Sequence, residues 1–515
     1  MKIAALLTLF LLTLLLGACA TNPVTGKSEL ALVPESSELD IGSNQYLPSR
    51  QLQGGDYTAD PELTRYVSQV GAELAKVSDR KLPYEFAIVN DSSPNAWALP
   101  GGKIAINRGL LVELNSEAEL AAVLGHEIVH AAARHSAQGI ERGVLLQGAL
   151  TAVGLAAGES GYADIAMGAA SLGGNLINQR YSREAELESD QFGMLYMQRA
   201  GYDPSAAIGL QETFVRLFGS KEPNWLSGLF ASHPPSPERV EKNRQTAARL
   251  GRGGKLGREI YRRMIAHLRQ TKPAYDAYDE GVKLLDRQPG QASRLADKAI
   301  SIEPREALFH ALRGDAYQQQ NNLQQARRAY DKAISLNPEF FLPYLQRGVV
   351  RSALGDDSGA RSDLQRSLQL LPTADAHYHL GRLAQENGDR RTAVTHYQVA
   401  ARSQSKAGKA ASRELATMQL STTPGAHLDT RLGMDRSGNL LVQISNNTGI
   451  GVRNPVVLVG RRDAAGNIYR GREHKVEGVL MPGRSILFNS GIRGLSNRAQ
   501  LSEYDARVVR VDTVE

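Results

Sequence analysis

His126-Glu127-Ile128-Val129-His130 sets two imidazoles four residues apart with a carboxylate between them. At about 100° per residue, helical positions i and i+4 share a face, so both rings can hold one zinc ion while Glu127, one step round, reaches a water bound to it. Zinc lowers the pKa of such water toward about 7 and polarises a carbonyl, and a neighbouring carboxylate takes the proton and passes it to a leaving amine. That is the chemistry of peptide-bond hydrolysis.

Such chemistry needs a helix beneath it. Ser116-Glu117-Ala118-Glu119 has the form of a capping box, and Leu120, Val123 and Leu124 follow at helical spacing. Placing ionisable groups among Ala121, Ala122, Ile128, Val129 and Ala131 costs on the order of several kcal/mol unless a metal or hydrogen bonds compensate. Catalytic zinc usually has three protein ligands, and Glu184, Glu186, Glu188 and Asp190 supply four carboxylates within seven residues downstream. On a helix Glu186 and Asp190 share a face, so one can bind metal while the other accepts the outer N–H of a ligand histidine. Spacing leaves Glu184 and Glu188 open as ligands. His135, about 140° from His130 on a continuing helix, is predicted to stay outside the site.

These residues carry a family resemblance. His126-Glu-x-x-His130, Ser182-Arg183 and Glu186-x-x-x-Asp190, together with Asn95-Ala96-Trp97-Ala98-Leu99-Pro100-Gly101-Gly102 and Arg108-Gly109-Leu110-Leu111, resemble the gluzincin metalloproteases of the HtpX and CaaX-prenyl-protease family. The resemblance runs from about Asn22 to Arg239. It implies one zinc ion held by His126, His130 and Glu186, with Asp190 orienting a histidine. Ser232-His233-Pro234-Pro235, followed by Arg239, matches the family's His-Pro loop. By resemblance, His233 either stabilises the oxyanion of the reaction or caps the zinc in a resting state. Asn95 to Leu99 reads as an edge strand, turned by Pro100-Gly101-Gly102 into Lys103–Asn107. Asn95, Ala96, Trp97 and Ala98 are therefore expected to bind an extended polypeptide substrate through main-chain hydrogen bonds, with Trp97 lining the cleft.

Met1-Lys2 followed by the apolar run 3–16 reads as a secretory signal, too short for an ordinary membrane span. Leu16-Gly17-Ala18-Cys19 resembles a bacterial lipobox in which Cys19 becomes the acylated first residue; the alternative, an Ala18-Cys19-Ala20 cleavage site, would release a soluble periplasmic protein. Ala20 after the cysteine resembles lipoproteins sent to the outer membrane. Cys19 is the only cysteine, so no intramolecular disulfide is possible. The net charge of +6 and pI near 9.2 come from scattered basic residues without an aromatic-interleaved stripe, which argues against a nucleic-acid partner. Two Gly- and Ala-rich stretches within 144–177 are each too short to span a membrane and are expected to form a helical hairpin near the site or a gate over it.

Past about residue 270 a repeat begins. Gly314, Tyr317, Ala326, Tyr330, Ala333 and Pro338 set a pattern that Gly348, Ala360, Leu364 and Pro372 repeat 34 residues later, the tetratricopeptide period. Gly381, Ala384, Ala393, Tyr397 and Ala400 mark a further copy, and Gly281, Leu284, Ala299 and Pro304 a degenerate first one. From about 426 the period becomes two, with β-rich runs at 440–444, 456–459, 485–488 and 506–511.

The chain is thus expected to be multidomain. A signal peptide (1–18) precedes an α+β, mainly helical zincin metalloprotease domain (19–269). An α-helical tetratricopeptide solenoid (270–410) and a small antiparallel β-sandwich (426–515), Ig-like, follow. Protease and repeats together resemble the periplasmic BepA-type lipoproteins, from which the C-terminal β domain departs. Two functions follow as expectations: a zinc endopeptidase of the bacterial periplasm, anchored to the outer membrane, that degrades or processes misfolded or misassembled envelope proteins, or a chaperone or assembly adaptor acting mainly through the tetratricopeptide surface. Outer-membrane assembly machinery is the partner expected at the repeats.

Overall fold

The computed structural model describes residues 19–142, 180–219 and 232–514, apart from single positions 252, 421 and 464. The expected signal peptide and the 144–177 hairpin lie outside them. The chain divides into two compact units, Met1–Pro372 and Thr373–Glu515.

The first unit opens with β1 (Cys19–Thr21), paired antiparallel with β2 (Ser28–Leu30). Helices α1 (Glu35–Leu52) and α2 (Pro61–Lys76) follow. Asp60 caps α2 by accepting from the N–H groups of Glu62 and Leu63, and Pro61 sits in the first turn, where its missing N–H costs nothing. Leu63, Val67, Val70 and Leu74 form the stripe that α2 buries. Strands β3 (Glu85–Val89), β4 (Ala96–Leu99) and β5 (Lys103–Asn107) make a sheet in the order β3-β5-β4, with β3 parallel and β4 antiparallel to β5. The expected turn joins β4 to β5, with Gly101 at φ +75° and Gly102 at φ +81°, a region glycine enters without a Cβ penalty.

After α3 (Arg108–Leu111), helix α4 (Glu117–Ala132) carries the His-Glu-x-x-His motif. Ser116 Oγ accepts from the Glu119 N–H at 3.1 Å, while the Glu119 carboxylate reaches the N–H of Asn115, one residue short of the reciprocal bond of a capping box. Fifteen of its sixteen residues are buried, which makes α4 the axis of the core. It is surrounded by α5 (Arg183–Arg199), α6 (Ala206–Gly219), α7 (Pro237–Leu250) and α8 (Arg258–Met264).

The repeat region of this unit comprises α9 (Ala266–Leu284), α10 (Pro289–Ile302), α11 (Ala307–Gln319), α12 (Leu323–Leu336), α13 (Phe341–Ala353) and α14 (Asp357–Leu370). A Cβ on Gly314 of α11 would lie 2.5 Å from the Tyr330 ring of α12, so the repeat's glycine is the space its tyrosine occupies. In the second unit α15 (Ala374–Glu386) and α16 (Arg390–Ala400) repeat this contact between Gly381 and Tyr397, and α17 (Lys406–Gln419) follows.

The second unit then forms two antiparallel sheets. One contains β6 (Leu428–Met434), β7 (Leu440–Asn446) and β11 (Ser485–Asn489), in the order β11-β7-β6. The other contains β8 (Gly451–Arg462), β9 (Ile468–Lys475), β10 (Val479–Leu480) and β12 (Tyr504–Val514), with β8 at its centre. Val442 and Ile444 from one and Val457, Val459 and Val508 from the other share a core.

Candidate metal centre

Helices α4 and α5 approach at glycine. A Cβ added to Gly193 would meet the His126 nitrogen at 3.0 Å and the Gly125 carbonyl carbon at 3.1 Å. Backbones this close bring Glu186 and Asp190 of α5 up to His126 and His130 of α4. His126 Nε2 lies 3.0 Å from His130 Nε2 and 3.5 Å from Glu186 Oε2, and His130 Nε2 lies 3.5 Å from Glu186 Oε1. From the loop before α7, His233 Nδ1 comes within 2.9 Å of Glu186 Oε1 and 3.4 Å of His126 Nε2. One donor atom from each of the four residues lies within 4.8 Å of all the others. A tetrahedral shell with bonds of about 2.0–2.2 Å has donor–donor edges of about 3.3–3.6 Å, so this donor set fits a single metal ion.

The surrounding groups set protonation. His126 Nδ1 faces Asp190 Oδ1 at 2.9 Å, and Arg239 of α7 forks that carboxylate, with Nε 2.8 Å from Oδ2 and Nη2 2.7 Å from Oδ1. Burial pushes the Asp190 carboxyl up, but Arg239 and His126 together outweigh it and hold the group below its ordinary range. An ionised Asp190 accepts a hydrogen bond from the Nδ1–H of His126, which turns Nε2 toward the other donors. Burial likewise pushes Glu186 up, and His233 and Arg239 hold it well below. Arg239 Nη1 stands 2.7 Å from Glu186 Oε2 without the alignment of a hydrogen bond. Burial drives His130 well below its ordinary value, which keeps it the neutral imidazole that a metal binds. Glu127 is raised by burial, with His233 opposing; its Oε2 has no hydrogen-bond partner among the described residues. Its other oxygen is 3.6 Å from His233 Nε2.

Glu186 thus joins the cluster, whereas Glu184 is exposed and Glu188 turns to His135. His135 is not the distant residue expected from a continuing helix. The helix stops at Ala132, Arg134 takes φ +65°, and His135 Nδ1 returns to 2.9 Å from His130 Nδ1. Tyr181, also missed from sequence, stacks on His130 with ring centroids 3.9 Å apart and bonds Ser136 at 2.8 Å. Strand β4 is an outer strand, as expected, but Trp97 does not line the cleft. Alternation puts Ala96 and Ala98 on the α4 side, whereas Trp97 packs against Tyr46 of α1 at 6.0 Å in a separate core. Ala96 lines the cavity beside His126 and Glu127, and Asn95 is buried just before the strand. Cys19 begins β1.

The model of peptidase family M48 matches residues 61–247, which include every residue of the cluster, and a TPR-repeat model matches 314–355, from α11 to just past α13. The chain is 31% identical over 193 residues to Metalloprotease YcaL of Escherichia coli (strain K12), covering 35% of this chain and 71% of that one. The chain belongs to peptidase family M48. It is also 34% identical over 203 residues to the putative beta-barrel assembly-enhancing protease of Vibrio cholerae, covering 36% of this chain and 40% of the relative. With the beta-barrel assembly-enhancing protease of Escherichia coli (strain K12) it shares 30% identity over 244 residues, 45% of this chain and 48% of the relative. It thus spans less than half the length of those two. The resemblance of the sequence to the metalloproteases of the HtpX and CaaX-prenyl-protease family and its tetratricopeptide reading both hold.

Proposed function

We propose that this M48 chain is a zinc endopeptidase of the bacterial periplasm, held at the outer membrane by acylated Cys19, that degrades or processes misassembled envelope proteins. The convergence of His126, His130 and Glu186, with the unpartnered Glu127 Oε2 beside them, carries the reading. The relatives named as beta-barrel assembly-enhancing proteases support the envelope setting. No described helix is long and apolar enough to cross a membrane.

Bound by His126, His130 and Glu186, zinc supplies a Lewis acid that polarises the scissile carbonyl and acidifies water. Asp190, fixed by Arg239, holds His126 in the tautomer that presents Nε2. Glu127 takes a proton on its unpartnered oxygen and delivers it to the departing amine. Burial, which raises its pKa, suits it to hold that proton between the two transfers. His233 Nδ1 stands among the donors, where it caps the centre at rest; it must withdraw before a substrate carbonyl enters.

Digestion of casein and of unfolded outer-membrane protein by purified residues 20–515, with metal analysis alongside, tests this. Glu127→Gln is expected to keep stoichiometric zinc and lose activity by about 10²–10⁴-fold. Absence of zinc from the wild-type enzyme, or cleavage surviving in Glu186→Ala, refutes the centre. The TPR match favours a second reading, an assembly adaptor docking on outer-membrane machinery through the repeats. Full rescue of a deletion strain by Glu127→Gln would select it.

A further inference from the structure

A histidine that presents Nε2 to a metal carries its proton on Nδ1, and a buried N–H needs an acceptor. For His126 that acceptor is Asp190. For His130, which is fully buried, it is another imidazole, His135 Nδ1 at 2.9 Å. Two ring nitrogens at that distance share one proton. If His130 donates, His135 Nδ1 accepts, and the proton of His135 then sits on Nε2. That atom faces Glu188 Oε1 at 3.3 Å. Ser189 Oγ, 3.4 Å from His135 Nδ1, is the other polar neighbour of that nitrogen. His135 is only 3% exposed, so its ring is shielded from bulk water.

We propose that His135 and Glu188 are positioning residues of the metal centre, fixing the tautomer and ring orientation of His130 through a His130–His135–Glu188 relay. This rests on the metal reading above. The backbone supports it: a residue with a side chain at positive φ costs about 1 kcal/mol or more, and Arg134 pays it only where its surroundings over-determine the turn. Arg134 Nη2 donates to Val33 O at 2.6 Å, its Nε to Glu38, and Glu141 lies 3.4 Å away. Those contacts hold the reversal that swings His135 back beneath His130. Asp190 and Glu188, on one helix, thus serve the two histidines of the other, one directly and one through a ring.

The test uses the full-length enzyme with zinc affinity from chelator competition and the visible spectrum of the cobalt(II)-substituted form. His135→Phe keeps a ring but removes the acceptor. It is expected to weaken zinc binding about 10–100-fold and to shift the cobalt bands. In His135→Asn the amide oxygen replaces Nδ1 as acceptor, and most of the affinity returns. Should His135→Phe fail to fold, Glu188→Gln, at a partly exposed position, carries the test with an expected loss of about 3–10-fold. Wild-type affinity and spectrum in His135→Phe, or in Glu188→Gln where the first does not fold, overturn the relay, as does failure of Asn to improve on Phe. A wild-type enzyme that binds no zinc overturns the metal centre itself, a separate result.

Discussion

Two helix pairs of the first unit are drawn together by glycine and use the closeness differently. Between α4 and α5, Gly125 faces Gly193, and backbone meets backbone; the side chains within about two turns of that contact include His126, His130, Glu186 and Asp190. Between α11 and α12, Gly314 faces the Tyr330 ring, whose hydroxyl lies 2.7 Å from Asp315 Oδ1 and 2.8 Å from Gln318 Oε1. The first pair buries ionisable groups that need a counter-ion and a metal; the second buries a large ring with its polar end satisfied. Close approach is therefore neutral as to purpose. What the neighbouring turn carries decides between a reactive centre and a structural joint.

Removing the counter-ion gives the largest expected effect. Arg239→Met leaves Asp190 and Glu186 buried without their cation, and the chelated protein should lose about 3–5 kcal/mol in urea unfolding. A loss under about 1 kcal/mol would mean that α4 and α5 tolerate charge as readily as the repeats tolerate a ring.

A crossed pair of glycine variants sharpens the contrast. Gly193→Ala drives a methyl against backbone of α4 and should weaken zinc binding at least about tenfold, since ligand placement within fractions of an ångström is at stake. Gly314→Ala drives one into the Tyr330 ring and should cost about 1–3 kcal/mol of stability while leaving zinc affinity unchanged. Chelator titrations and thermal melts of both variants read the two effects. The reverse pattern would break the comparison.

The smallest effect concerns Asp315. Burial pushes its carboxyl from 3.8 up to about 6, against the Tyr330 hydroxyl, which lowers it. The folded pKa lies above the unfolded one, so the stabilisation is full below about pH 4 and is lost as pH rises through about 6. Because Asp315 keeps some exposure, the loss is about 1 kcal/mol and not the roughly 3 that two pH units imply. Asp315→Asn should gain that amount over wild type at pH 7 and nothing at pH 4, read from urea midpoints.

Much of the site was legible because metal chemistry restricts residue type and spacing. His126, Glu127 and His130 follow from one motif, and helical geometry puts Glu186 and Asp190 on one face. The same geometry could not choose among the carboxylates; the choice depends on where Gly193 lets α5 sit. His135 was illegible because nothing in Ala132-Ala133-Arg134 signals a helix end: no glycine, asparagine or proline stands there, and the turn is held by Glu38 and Val33, some hundred residues upstream. Trp97 shows the limit of reading a strand without its register, since one step along β4 separates the metal side from the α1 side. In the β domain, β7, β8, β11 and β12 announce themselves by alternation. Strand β9, Ile-Tyr-Arg-Gly-Arg-Glu-His-Lys, is exposed along most of its length and carries no such pattern.

Under the proposed function, a His233 that caps the centre at rest would give the enzyme a latency released without any cleavage of its own chain. A zymogen activated by cleavage fires once. A histidine cap that left and returned would re-lock the centre after each hydrolytic cycle, so bystander proteins would meet a closed door for as long as nothing displaced the latch.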